Sequence, residues 1–291
     1  MRHCPRGRKG CKFAEVSYKS AEVKGLMSDL GVGSGKPALV LLHPFLLSGN
    51  VWQDVVPLLS SYHQVFTPTL LGHRGGPPVQ CRPATIWDVI DAAEEYLNEH
   101  GLQRPHLVGN SAGGFVALEL ARRGRAATVC ALSPAGFWST EDGSKSRADN
   151  KVHRSATMSR LATPVGPLIF KSATVRRLSL RFLNTAYHGD RLAAAQLNEL
   201  CQDTVGCTVT NELFSTDDEQ IAPLDPLPCP ITIAWSEKDS LLPVAIYGKI
   251  ARERVPQATF EILPDVNHMA MIDDPDLVAR TILAVTGTAK Q

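Results

Sequence analysis

Leu107-Val108-Gly109-Asn110-Ser111-Ala112-Gly113-Gly114-Phe115 decides how the chain is read. An apolar run enters a Gly-x-Ser-x-Gly pattern, and a segment with Phe115, Ala117, Leu118, Leu120 and Ala121 at helical spacing leaves it. A strand followed at once by a helix leaves room only for a tight turn. A side chain at Gly109 or Gly113 would collide there with neighbouring backbone. Such a turn lifts the Ser111 hydroxyl out of the sheet and leaves the Ala112 N–H at a helix N-terminus, where an anion is stabilised. A chance Gly/Ser turn is the bland alternative, and the strand-turn-helix setting disfavours it.

Buried strands are expected at Ala38 to His43, at Val65 to Thr67 leading into Leu70 and Leu71, at Pro105 to Val108, at Thr128 to Leu132, at Ile231 to Trp235 and at Thr259 to Leu263. Ile86, Val89, Ile90, Ala93 and Leu97 have helical spacing, with Thr85 placed to cap them. Alternating strands and helices predict an α/β fold: a mostly parallel sheet covered by helices on both faces, with ligands at the carboxyl ends of the strands. The alternation breaks between about Ser139 and Pro223, where a polar run, Ser139 to His153, precedes helix-like segments at Leu178 to Leu183 and Leu192 to Leu200. So long an insertion between core strands is no ordinary loop. The expected organisation is a first core part over 1–138, with a basic arm at about 1–24, an inserted mainly helical lid over 139–225, and a second core part over 226–291.

A serine hydroxyl becomes a nucleophile only when a base takes its proton. His268 follows the last apolar strand in the loop Pro264-Asp265-Val266-Asn267-His268, and Asp239 follows the strand Ile231 to Trp235, so both fall at the sheet edge that carries Ser111. Glu237, Glu141 and Asp142 are weaker candidates for the orienting carboxylate. Among the nine histidines, His3, His63, His100, His106, His153 and His188 lack a strand-end setting with a fitting partner. Cys130, inside an apolar strand, reads as core. Donors for a developing oxyanion are expected from the backbone N–H groups of Phe45 and Ala112; Pro44 has none, and His43 reads as a brace for that loop.

On these residues the chain resembles the α/β-hydrolase superfamily, in the lid-bearing branch with carboxylesterases, C–C bond hydrolases and cofactor-free haloperoxidase-like enzymes. His43 to Trp52 is similar to the family's His-Gly loop and Pro68 to His73 to its next strand-end motif, and the order Ser111, Asp239, His268 matches. The resemblance spans about Lys36 to Phe137 and Pro230 onward. Pro44 stands for the usual glycine, Thr69 for a common aspartate, and Arg74-Gly75-Gly76 for Gly-x-Ser. Ser111 in place of an aspartate argues against epoxide hydrolase and haloalkane dehalogenase chemistry, which needs a carboxylate nucleophile.

The resemblance implies a serine hydrolase, best read as a carboxylesterase on a small to medium apolar ester, with no cofactor and no metal. The alternatives are C–C cleavage of a dienoate-like ketone, its carboxylate met by a lid arginine (Arg154, Arg160, Arg176, Arg177 or Arg181), and a non-catalytic ligand-binding member of the fold. Trp52, Phe137, Trp138 and Phe170 are expected in the substrate pocket, with Phe45, Phe182, Leu183 and Phe214 as further candidates.

Of 291 residues, 44% are hydrophobic and 20% charged, and a net charge of +1 argues against a nucleic-acid partner and leaves an apolar small molecule as the expected one. The longest apolar runs are too short to span a membrane. Seven basic residues against two acidic ones over 1–24 make the arm cationic: either a solvated tail or an electrostatic tether to anionic lipid or a partner. It lacks the apolar run of a secretory signal. Seven cysteines without metal spacing suggest a reduced, cytoplasmic chain.

Overall fold

The computed structural model describes residues 35–139, 143–216 and 218–288; the basic arm and the competing carboxylates Glu141 and Asp142 lie outside them. Six strands, β1 (Ala38–Leu42), β2 (Gln64–Phe66), β3 (His106–Asn110), β4 (Thr128–Leu132), β5 (Ile231–Ser236) and β6 (Thr259–Leu263), form one sheet in the order β2-β1-β3-β4-β5-β6. Every pairing is parallel; Leu41 faces Val108, Val108 faces Cys130, and Ala131 faces Ile233.

Side chains alternate across a strand, so each central strand feeds two cores. Val40, Leu42, Leu107, Val129, Ala131 and Ile233 pack on one face under helices α1 (Ile86–Glu99) and α2 (Ala112–Arg122). Leu39, Leu41, Val108, Cys130, Leu132 and Ala234 face the other way, against Val55, Leu59 and the apolar side of α6 (Pro275–Val285). That two-sided burial is why these strands read as unbroken apolar runs. Burial also pushes the Cys130 thiol up to about 12, so it stays protonated. The edge strand β6, by contrast, leaves most of its residues at least partly exposed.

Helix α1 begins as the sequence suggested. Thr85 Oγ1 accepts from the Asp88 N–H at 3.4 Å while Asp88 Oδ2 accepts from the Thr85 N–H at 2.7 Å, closing a capping box of the kind that stabilises a helix start by ~1 kcal/mol. Glu219, wholly buried, adds an acceptor for the Ile86 N–H at 2.8 Å, where the helix dipole favours negative charge.

Between β4 and β5 the chain is helical: α3 (Ser144–Ala162), α4 (Ala173–Phe182) and α5 (Ala194–Gly206), with short turns between them. Residues of all three helices line one cleft with Ser111 and His268. Arg74 reaches α5, its Nη1 donating to the buried Asp203 Oδ1 at 2.8 Å, and Ser48 Oγ donates to Asp203 Oδ2 at 2.5 Å.

Two expectations need correction. Leu70 and Leu71 are buried, but in a turn after β2 rather than in a strand; the strand ends at Phe66 because Thr67 to Leu71 fold back to meet the loop after β1. Cys81 is disulfide-bonded, which departs from the expectation of a reduced chain. Cys130, Cys201, Cys207 and Cys229 are free and buried. Among the described residues no helix is long and apolar enough to cross a membrane.

Candidate active site

Ser111 occupies the turn between β3 and α2 with φ 55° and ψ −117°, a conformation that non-glycine residues adopt only under constraint. The surroundings supply the constraint. The Ser111 N–H donates to the Leu132 carbonyl at 3.0 Å, and its own carbonyl accepts from Phe115 and Ala135 at 3.1 and 2.9 Å. The glycines are steric requirements, as expected: a Cβ on Gly109 would lie 2.1 Å from the Gly113 oxygen, and one on Gly113 would lie 2.2 Å from the Leu42 oxygen.

His268 reaches the same place from the loop after β6. Its Nδ1–H donates to Asp239 Oδ2 at 2.8 Å, with both side chains almost wholly buried. Asp239 Oδ1 accepts the N–H groups of Leu241 and Leu242 at 3.0 and 2.7 Å, which fixes the carboxylate and leaves Oδ2 for the imidazole. His268 Nε2 is buried without a hydrogen-bond partner. With a proton on Nδ1, that nitrogen is a bare acceptor. It belongs to the wall of a cleft that Ser111 also lines.

The histidine loop is held on two sides. Asn110 Nδ2 donates to the His268 carbonyl and to the Leu132 carbonyl, each at 3.0 Å. Asn267 Oδ1 accepts the His268 N–H at 2.9 Å and the Ser240 N–H at 2.8 Å. Behind them the buried Asp273 accepts the Asn267 N–H on Oδ2 at 2.8 Å and the Tyr187 and His188 N–H groups on Oδ1, both at 2.7 Å. Its burial pushes the carboxyl pKa up even though three amides favour the charged form. Neither Asn267 nor Asp273 was singled out in the sequence; the adjacency of Asn267 to His268 was the available signal.

Among the described residues no other acid bonds the His268 ring. Glu237 instead accepts the Asp265 N–H at 3.0 Å in an exposed loop. His43 braces the loop after β1: its Nδ1–H donates to the Pro44 carbonyl at 2.8 Å and its Nε2 accepts the Leu70 N–H at 2.9 Å. Thr69, in the place of the common aspartate, accepts the Gly49 N–H at 3.2 Å. Phe45 lines the cleft beside Ser111, and Ala112 is the first residue of α2, where an N–H has no intrahelical acceptor.

His43 and His73 are buried with ring centroids 4.9 Å apart. Burial holds His43 well below the usual imidazole range and lowers His73 to about 4. The unfolded chain therefore binds more protons than the native one between about pH 4 and 6.5, so stability is full above that window and falls as pH drops through it. His73 alone is expected to cost ~2 kcal/mol between about pH 7 and pH 5, read as a lower urea midpoint; a midpoint independent of pH would contradict neutral burial of this pair.

The cleft holds about 690 Å³ of empty space, its open mouth included. Helices α3, α4 and α5 supply Val152, Leu180, Leu197 and Leu200, and Leu241 and Met269 close the core side. Its polar lining beyond Ser111 and His268 consists of the hydroxyls Ser155, Ser159, Thr185 and Thr204; among the described residues that line it there is no Asp, Glu, Lys or Arg. Cys201 is in the wall too, its thiol pushed up to about 11 by burial and so inert as a nucleophile at neutral pH.

Four predicted pocket residues lie elsewhere. Trp52, Phe137, Trp138 and Phe170 are all buried core rather than lining. Trp52 and Phe170 join the apolar layer that contains Leu39 and Val55. Phe137 packs toward the Trp235 ring, 6.5 Å between centroids, and Trp138 meets Phe214 edge-on at 5.2 Å. Large aromatics fill inter-layer space more effectively than a cleft wall does, and their burial there removes the most apolar surface. Of the further candidates, Phe45 and Leu183 do line the cleft, while Phe182 points to solvent.

A hydrolytic layout of this kind on a parallel sheet defines a broad class of α/β enzymes, and the chain's similarities agree. Residues 39–281 match the alpha/beta hydrolase family, and the chain belongs to it. The chain is 26% identical over 197 residues to epoxide hydrolase EphH of Mycobacterium tuberculosis, covering 67% of this chain and 91% of that one. It is 28% identical over 253 residues to pimeloyl-[acyl-carrier protein] methyl ester esterase of Aromatoleum aromaticum, covering 83% and 94%. The structure of 2-hydroxy-6-oxo-6-phenylhexa-2,4-dienoate hydrolase from a Rhodococcus species superposes with a TM-score of 0.65 at 19% identity, covering 87% of this chain and 91% of that one.

Proposed function

We propose that this hydrolase is a carboxylesterase acting on small to medium, uncharged apolar esters, with Ser111 as nucleophile, His268 as general base and Asp239 as its orienting acid. His268 Nε2 takes the Ser111 proton as Oγ attacks the ester carbonyl. The N–H groups of Ala112 and Phe45 receive the oxyanion. The imidazolium, held through Nδ1 by Asp239, returns its proton to the leaving alkoxide. Water activated by the same imidazole then opens the acyl-enzyme and releases the acid. Residues 139–225 act as the lid that closes this chemistry off from solvent.

The observation that carries the reading is the unpartnered, buried Nε2 of His268 in the wall of the cleft that Ser111 lines, with Nδ1 2.8 Å from Asp239. Choice of substrate rests on the lining. A dienoate carries a carboxylate that calls for a cation in the cleft, yet no Lys or Arg lines it among the described residues: Arg176 spends Nη1 on the Phe170 and Lys171 carbonyls, and Arg154 and Arg181 lie over the Phe182 and Tyr187 rings. A hydroxyl nucleophile likewise favours acyl transfer over epoxide opening, whatever the activity for which a relative is named.

Hydrolysis of p-nitrophenyl esters of rising acyl length tests this. A peak at one neutral length is expected, and a hemisuccinyl ester of matched size should be at least ~30-fold poorer in kcat/KM, because its carboxylate would enter the cleft unpaired. Equal turnover of the charged and neutral esters would rule out the neutral-substrate assignment.

A further inference from the structure

The insertion has a second face. Ten large apolar residues are exposed among the described residues, and seven of them fall within residues 158–182. Leu161 and Leu168 are 67% and 72% exposed, and Val165, Leu178 and Phe182 about half. Isolated exposed leucines are ordinary on a soluble surface; a group on adjacent helical turns is not. The charge is equally one-sided. Between Asp149 and Asp190 there is no acidic residue, while Arg154, Arg160, Lys171, Arg177 and Arg181 are all exposed. The Arg154 guanidinium lies 4.4 Å from the centre of the Phe182 ring, which joins the outer faces of α3 and α4 into one surface.

These are the same helices that wall the cleft. Val152, Ser155 and Ser159 of α3 and Leu180 of α4 look inward, while Leu161, Leu178 and Phe182 look outward. We infer that this outer face docks on an anionic lipid surface, so that the cleft is fed with apolar esters from the lipid phase. Charge complementarity selects the occupant: a single-signed cationic rim meets lipid phosphates, and protruding aliphatic side chains enter the headgroup boundary. An acidic protein partner would satisfy the cations but leave Leu161 and Leu168, which protrude instead of forming a groove, without a matching cavity. The docking goes beyond the esterase reading and is measured without turnover, so either can fail alone.

Flotation of the full chain with large unilamellar vesicles in about 0.1 M salt tests it. Wild type should float with equimolar phosphatidylcholine and phosphatidylglycerol and stay behind with phosphatidylcholine alone. Leu161→Ser/Leu168→Ser and Lys171→Glu/Arg177→Glu should each lower the bound fraction at least ~tenfold, with thermal unfolding unchanged because all four side chains are exposed. Absence of wild-type flotation, or full binding by either variant, overturns the proposal. So does retention of the chain on immobilised poly-glutamate as strong as on vesicles and undiminished by the leucine changes, which would mark an acidic-protein surface.

Discussion

Ser111→Ala is expected to lower kcat for a neutral p-nitrophenyl ester by ~10⁴- to 10⁶-fold, with the urea midpoint close to wild type. Loss of the hydroxyl removes the covalent route, whereas the oxyanion donors, which are backbone, remain in place and support a residual rate. The fold should tolerate the change: alanine is no more strained than serine at φ 55°, and Ser111 is held through its main chain, by the Leu132 carbonyl and the Phe115 and Ala135 amides. Active-site titration with a phosphonate gives a second reading, mass added once at Ser111 in wild type and none in the variant. A rate within about tenfold of wild type would place the nucleophile elsewhere and sink the mechanism.

Gly113→Ala should do the opposite, striking the fold before the chemistry. Its Cβ would sit 2.2 Å from the Leu42 oxygen, 2.5 Å from the Leu42 carbonyl carbon and 2.7 Å from the His43 oxygen. All three are backbone at the end of β1, so no rotamer change relieves the clash; α2 must move off the sheet. A loss of ~3–5 kcal/mol is expected, seen as a lower urea midpoint or failure to accumulate as soluble protein. Gly124→Ala is the control. Gly124 has φ +76° and open space around its Cβ, so strain alone should cost ~1 kcal/mol. Equal losses at the two positions would mean that the close approach at Gly113 is not what the helix start depends on.

The sheet and the candidate catalytic residues were legible because local chemistry announces them. A strand buried on both faces must be apolar throughout, and a serine at a strand-to-helix turn must be flanked by glycines. His268 and Asp239 were found by the same rule, as residues just beyond apolar strands. Cleft and core could not be separated that way. Val152, Leu180, Leu197 and Leu200 have the spacing of any amphipathic helix, and periodicity marks the buried face of a helix without saying whether protein or empty space lies against it. Trp52, Phe137, Trp138 and Phe170 misled for the converse reason, since a large aromatic suits a pocket wall and a core equally by composition. The Ser139 to His153 segment has the look of a polar run, yet much of it lies in the 19-residue helix α3, whose buried positions are mostly Ala and Ser. Arg74, read as a departure from a motif, proves to be an anchor for α5 through Asp203.

Asp273 has a consequence for how the molecule can be re-engineered. One carboxylate holds two amides within the insertion, Tyr187 and His188 between α4 and α5, with one oxygen, and the Asn267 amide preceding His268 with the other. The insertion and the histidine loop are thus fastened to a common post, and displacing the segment between α4 and α5 would drag on the base of the proposed triad. A chimera that exchanges the insertion for a relative's must therefore carry Asp273 and its three amides with it as one unit.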